Sequence, residues 1–163
     1  MQNRRTKMDA DNGRAFVNAW LHDVRSPLTM IKGFSEIFSD KKTSKLNSRQ
    51  QKVMREISNH AGVVFENCNE FASFFRADYL SVISLSIDDL SPNEELLLQE
   101  NVIKPALASL VIVKEKIEDL LQSGQDDIPE EERESLEMMN AYCLKAIESW
   151  KELQDYFNDS NNP

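Results

Sequence analysis

Glycine is scarce in this chain of 163 residues, with only four occurrences, at positions 13, 33, 62 and 124. A Gly-rich phosphate-binding loop needs several glycines within a few residues, because the backbone there must approach the phosphates closely. The spacing of the four glycines therefore excludes such a nucleotide site within these residues.

Cysteine and histidine are also few, with two of each, and none of the four has a partner at a metal-ligand spacing. Structural zinc sites need closely spaced pairs of ligands, so we expect no metal site and no cofactor. Cys68 and Cys143 lie in apolar, helix-like surroundings. This context predicts reduced core thiols in a cytoplasmic protein, with a buried disulfide as the alternative.

Basic residues are outnumbered, since 19 lysines and arginines stand against 28 aspartates and glutamates, a formal net charge of -9. Nucleic-acid binding depends on basic surface that neutralises phosphates, so nucleic acid is not an expected partner. No apolar run approaches the length that spans a bilayer, and no signal-like stretch follows the basic N-terminus. We therefore expect a soluble, cytoplasmic protein with no membrane partner.

The charge is unevenly distributed between the two halves of the chain. Residues 1–90 hold 13 basic and 11 acidic side chains, whereas residues 91–163 hold 6 basic and 17 acidic ones. The first half is therefore mildly basic and the second strongly acidic. A mildly basic surface suits an acidic partner.

Apolar residues recur at intervals of three and four along most of the chain, which is the helical period. The pattern predicts four helices, over about residues 12–38, 48–76, 91–123 and 130–157. A connector at 77–90 divides them into two hairpins, 12–76 and 91–158. Because each hairpin has an apolar stripe to bury, we predict an all-α protein, an antiparallel four-helix bundle built from two helical hairpins.

Local signals support these boundaries. Ser91, Pro92 and Glu94 have the spacing of a capping box with proline in the first turn, and Gly124 is a typical helix stop. Pro27 and Pro105 fall inside the first and third helices. Each is expected to kink its helix, because proline lacks the backbone donor.

The two hairpins can be aligned as a degenerate repeat. The second helix matches the fourth at an offset of 82, with apolar residues on apolar residues throughout. The first helix matches the third at an offset of 79, which places His22 on Asn101, although the two prolines miss each other by one residue. Two unrelated amphipathic helices would also match in phase, so both interpretations stay open.

The most informative stretch of sequence surrounds His22 and reads His-Asp-Val-Arg-Ser-Pro-Leu-Thr. At about 100° per residue, His22 lies opposite the apolar stripe and is expected to face water. A neutral imidazole is a good nucleophile, and exposure would let a phosphoryl group reach it. Asp23 could orient the ring, Arg25 could supply positive charge, and Pro27 should bend the helix beside them.

This stretch resembles the phosphoacceptor box of the dimerisation and histidine-phosphotransfer domain (HisKA or DHp) of two-component sensor histidine kinases. The box reads His, Glu or Asp, any residue, Arg, Ser or Thr, Pro, Leu, and residues 22–28 match every position. The resemblance covers about residues 12–76. It implies that His22 is the phosphoacceptor, with Asp23, Arg25 and Ser26 as catalytic neighbours and Pro27 as a structural kink.

Family kinases follow this hairpin with an ATP-binding domain that carries an Asn box and Gly-rich motifs, and these residues hold neither. We therefore expect phosphotransfer between His22 and a receiver-domain aspartate in two-component signalling, without ATP-dependent autokinase activity. The protein would be at most a phosphohistidine phosphotransferase. The family's phosphatase pattern prefers Thr or Asn where Ser26 stands, which leaves phosphatase activity open.

Two alternatives to phosphotransfer remain. The chain could be a non-catalytic binding module that docks on or antagonises a histidine kinase or a response regulator, or it could be a purely structural bundle. Two oligomeric states also remain open. The family's hairpins dimerise to complete four helices, so this chain would be either a homodimer or a monomeric pseudodimer with a single active histidine.

Overall fold

The computed structural model describes residues 10–76, 85–123 and 128–161, and the protein is all-helical. The four predicted helical segments are confirmed, the third being a continuous run of α3, a π-helical turn and α4. The elements in chain order are α1 (Ala10–Ser39), α2 (Ser48–Ser73), a 3-10 turn (Ile87–Asp89), α3 (Pro92–Leu98), the π turn (Gln99–Ile103), α4 (Lys104–Ser123) and α5 (Glu130–Asn161).

Side-chain caps fix where helices begin. Asn47 and Gln50 form a capping box at the start of α2, with each side chain accepting from the other residue's backbone N–H. The box predicted at Ser91 and Glu94 is confirmed, with Pro92 as the first residue of α3. Each box satisfies two backbone donors that a helix start would otherwise leave unpaired. The predicted stop at Gly124 and most of the predicted connector, 77–84, lie outside the described residues.

The helices share one hydrophobic core. Helix α1 packs against α2 and α5, and α4 packs against the same two helices. Trp20 joins three of them, because its ring lies 4.5 Å from that of Phe71 on α2 and 4.7 Å from that of Trp150 on α5. Its indole N–H also donates to the Ser149 carbonyl at 2.8 Å. These contacts fix the position of α1 along α5.

The segment that follows the first two helices packs closely on α1. Leu85 N–H donates to the Phe75 carbonyl at 3.1 Å, and the buried Ser86 begins the 3-10 turn with a capping box to Asp89. A Cβ on Gly13 would lie 1.6 Å from Ser86 Oγ and 3.3 Å from Ser86 Cα. Only glycine therefore permits this approach of α1 to the turn.

The helical run of residues 92–123 contains the π turn directly before Pro105. Lys104 N–H donates to the carbonyl of Gln99, five residues back, rather than four. Pro105 has no N–H to offer the next carbonyl, so the backbone accommodates it in a wider turn. The structure thus shows a specific irregularity where the sequence predicts a kink. Val102 and Ile103 are both buried beside it.

The two cysteines are free and buried, Cys68 in α2 and Cys143 in α5. Cys143 Sγ donates to the Leu110 carbonyl at 3.4 Å. Both thiols are therefore part of the core, as their apolar context predicts.

The stretch Pro92–Gln122 is long and apolar enough, by length and composition, to cross a membrane. The prediction that no apolar run approaches the length that spans a bilayer is therefore wrong for this stretch. Only 33% of its most apolar 18-residue window is buried, and Leu96 and Leu97 are among the exposed side chains. Core helices of soluble proteins pass the same test, so this finding alone assigns no location.

Candidate functional site

His22 lies on the face of α1 that points away from the core. Val24, Leu28 and Ile31 are 0% exposed, whereas the His22 side chain is 81% exposed. The helical period of 3.6 residues accounts for this difference, because the three buried residues share one stripe and His22 lies opposite it. The imidazole is therefore open to a reactant from solvent.

The carboxylate of Asp23 lies beside the His22 ring. Its Oδ1 lies 3.6 Å from His22 Nδ1, and its own side chain is 71% exposed. A carboxylate on this side favours the tautomer that carries its proton on Nδ1, which leaves the lone pair on Nε2. Asp23 thus lies on the Nδ1 side of the ring, at a distance longer than a hydrogen bond.

Arg25 is held in place by α2 and by its own helix. Its guanidinium donates to Asn69 Oδ1 at 3.2 Å, and the Thr29 hydroxyl donates to the Arg25 carbonyl at 2.9 Å. Pro27, two residues further on, is buried and has no N–H for the Asp23 carbonyl. Ser26 is exposed between them. The turn after His22 is thus fixed by contacts on both sides.

A pocket of about 710 Å³ surrounds His22 and contains all five residues that the sequence singles out, His22, Asp23, Arg25, Ser26 and Pro27. Other elements contribute three further residues, which are Arg76 just after α2 and Tyr142 and Lys145 on α5. Sequence reasoning misses these three, because nothing local to them marks a site. Only the packing of α1 between α2 and α5 brings them to His22.

The charged side chains of the pocket are mainly basic. Arg25, Arg76 and Lys145 carry positive charge, and Asp23 is the only acidic one among the described residues that line it. The pocket thus has an excess of positive charge, although the whole chain has a net charge of -9. Such a pocket favours an anionic group beside the imidazole.

The described residues contain no group of three or more histidines, cysteines, aspartates or glutamates placed to hold a metal ion. The cysteines are poor alternative nucleophiles, since burial raises the pKa of Cys68 and that of Cys143 to about 12. A thiol with so high a pKa is almost entirely protonated near neutral pH. Neither cysteine is among the described residues that line the pocket, and His22 is its candidate nucleophile.

Comparison with protein families, with curated proteins and with solved structures finds no match to this chain.

Proposed function

We propose that this protein is a histidine phosphotransfer protein of two-component signalling, in which His22 exchanges a phosphoryl group with the aspartate of a receiver domain. The observation that carries the proposal is the exposed imidazole of His22 in a pocket with Arg25, Arg76 and Lys145. The match of residues 22–28 to the family's phosphoacceptor box supports the same chemistry.

In the proposed transfer, the lone pair on His22 Nε2 attacks the phosphorus of a receiver's aspartyl phosphate. A bond forms between nitrogen and phosphorus, and the phosphorus–oxygen bond to the aspartate breaks. The bonding pair leaves with the aspartate as a carboxylate, and the reverse reaction returns the phosphoryl group. The proton stays on Nδ1, where Asp23 stabilises the positive ring.

The basic pocket would serve two purposes in this reaction. A phosphoryl group carries negative charge on its oxygens throughout the transfer, and nearby cations stabilise that charge in the transition state. A receiver's phosphorylation site is also acidic, so the same cations would attract it. The Arg25 guanidinium donates to Asn69 on α2, which holds it beside α1.

The packing of the helices suits a self-contained version of the family's dimer. We infer that the chain folds as an antiparallel four-helix bundle of two hairpins, because α1 and α4 each pack on both α2 and α5. In this arrangement α4 and α5 occupy the places of a partner's hairpin. A monomeric pseudodimer with one phosphoacceptor histidine follows from it.

Phosphotransfer from a panel of ³²P-phosphorylated receiver domains tests the proposal. Wild-type protein and His60→Gln should each gain an acid-labile label, whereas His22→Gln should gain none. His60 is the matched control, because it is the second histidine of the chain and lies on α2, away from the pocket. The absence of label on the wild type, or label on His22→Gln, would contradict the proposal.

The same panel separates phosphotransfer from docking without chemistry. A binding module would bind one receiver or one kinase equally well as wild type and as His22→Gln, with no label on either. Light scattering addresses the oligomeric state, for which we expect a monomer.

A further inference from the structure

Among the described lysines of the acidic half of the chain, Lys145 and Lys151 are the two without a carboxylate partner, and only Lys145 lines the His22 pocket. Residues 91–163 hold only six basic side chains. Lys104, Lys114 and Lys116 each pair with a glutamate. Within the described part of the chain, no carboxylate lies within 4.0 Å of the Lys145 ammonium, which instead lies 5.9 Å from the centre of the Tyr142 ring. Its positive charge is thus not committed to a carboxylate.

The packing of α1 on α5 brings Lys145 to the His22 pocket. Trp20, two residues before His22, donates to the carbonyl of Ser149, one turn beyond Lys145. The Ser149 hydroxyl in turn donates to the Lys145 carbonyl at 3.2 Å. His22 and Lys145 therefore line the same pocket. The hydrogen bonds of Trp20 and Ser149 fix the position of α1 along α5 that brings them together.

The other pair of helices offers no equivalent group. At the offset of 82 that aligns α2 with α5, Lys145 falls on Val63, which is 41% exposed, and Tyr142 falls on His60. The position of α2 that matches Lys145 thus carries an apolar side chain instead of a cation. The amphipathic pattern of the helices does not explain the lysine at position 145, because an exposed position on α2 or α5 would accept any polar residue.

We propose that Lys145 is a catalytic residue that contacts the phosphoryl oxygens during transfer at His22, so that α5 completes in the same chain a site that begins on α1. This inference rests on the proposed function. The His22 Nε2–phosphorus bond forms as the phosphorus–oxygen bond of the donor breaks, with its electron pair leaving on the donor. The ammonium keeps its proton and offsets charge on the phosphoryl oxygens.

The test compares two donors, a phosphorylated receiver and free phosphoramidate, a small phosphodonor that docks on no protein surface. Lys145→Gln should slow His22 phosphorylation about tenfold or more with both donors, because the phosphoryl group is common to them. Lys145→Arg should recover part of the rate. Lys151→Gln, which removes another exposed lysine of α5, should match the wild type.

Each outcome decides between specific alternatives. Equal rates for Lys145→Gln and wild type with phosphoramidate overturn the inference and leave the proposed function standing. A loss with the receiver alone means that Lys145 only contacts the partner, which also overturns it. If the wild type accepts no phosphoryl group from either donor, the proposed function itself fails. A melting temperature unchanged in Lys145→Gln shows that the loss is not structural.

Discussion

The two hairpins of the proposed bundle, the first made of α1 and α2 and the second of α3 to α5, have nearly the same interior and very different surfaces. At an offset of 82, six positions of α2, together with Phe75 just after it, are at most 1% exposed and match positions of α5 that are equally buried. These pairs are Met54/Leu136, Ile57/Met139, Ala61/Cys143, Val64/Ala146, Cys68/Trp150, Phe71/Leu153 and Phe75/Phe157. The comparison shows that the core pattern alone does not distinguish the hairpins, whereas their exposed chemistry does.

The similarity between α2 and α5 extends to the start of each helix. The buried Leu46 before α2 corresponds to the buried Ile128 before α5. The Gln51 side chain donates to the Leu46 carbonyl at 2.9 Å, and Arg133, at the matching position, donates to the Leu121 carbonyl at 3.2 Å. In each case a side chain near the start of the helix, α2 or α5, therefore donates to a backbone carbonyl of the segment that precedes the helix.

Helix α1 and the helical run of residues 92–123 do not match at a single offset, because the π turn holds one more residue than an α-helical turn. After the turn, an offset of 79 pairs the buried Ile31 with the buried Leu110. Before it, an offset of 78 pairs Trp20 with Leu98, which is also buried. A single offset of 79 for the whole helix, as sequence matching suggests, is therefore one residue out at its start.

The thiols provide the largest expected contrast between native and unfolded protein in both hairpins. Burial raises the pKa of Cys68 and of Cys143 from 9.0 to about 12, which lowers the thiolate fraction at pH 8 about a thousandfold. Iodoacetamide should modify neither thiol in the native protein and both in urea, and native reactivity should rise with pH. Faster native modification of Cys143 than of Cys68 would show a looser second hairpin.

The pair Cys68 and Trp150 occupies the same position in the two hairpins with side chains of very different size. Trp150→Ala should lower the free energy of unfolding by about 3–5 kcal/mol, because a fully buried indole leaves a large cavity next to Trp20. Cys68→Ala should cost much less. Urea unfolding of both variants tests the comparison, and similar losses would mean that the site around Trp150 collapses.

Gly13 tests the contact between α1 and the turn that leads to the second hairpin. Gly13→Ala should lower the free energy of unfolding by about 1–3 kcal/mol, because its Cβ meets Ser86. Gly33→Ala is the control in the same helix. No atom lies within 4 Å of its added Cβ, so it should stabilise the protein by about 0.5–1 kcal/mol. Thermal unfolding separates the two, and equal effects would contradict the close approach.

The smallest expected effect concerns an ion pair that links the hairpins. Lys116 Nζ lies 2.8 Å from Glu56 Oε2 and lowers the pKa of that carboxyl below its ordinary 4.5. The ion pair therefore stabilises the folded protein at pH values above 4.5, the ordinary pKa of the carboxyl. This stabilisation is lost as the pH falls through the lowered pKa. Glu56→Gln should melt slightly below wild type at pH 7, and the difference in melting temperature should shrink as the pH falls below 4.5. Glu66→Gln, exposed on the same helix, should show no such pH dependence.

Much of the fold could be predicted from the sequence because it depends on local periodicity. The spacing of apolar residues predicts the four helical segments, and Ser91, Pro92 and Glu94 predict where the third begins. The π turn could not be predicted, since Pro105 indicates an irregularity without saying how the backbone accommodates it. The extra residue becomes visible only when the buried side chains before the π turn are compared with those after it.

The candidate site divides in the same way between local and tertiary information. His22, Asp23, Arg25, Ser26 and Pro27 are neighbours in sequence, so a motif and a helical phase are enough to place them together. Arg76 and Lys145 reach the pocket through the packing of α2 and α5 on α1. No pattern within either helix predicts that register.

The π turn also predicts how the third helical run tolerates deletions. Removing Glu100 or Asn101, both exposed, would return the backbone to regular α-helix while Leu98 and Leu110 still face the core. Removing Ser109 instead would rotate everything before it by about 100° and turn Leu98 away from the core. Circular dichroism melting of the two deletants would show one folded protein and one badly destabilised protein. The turn thus marks a place where this chain can lose a residue without losing its core.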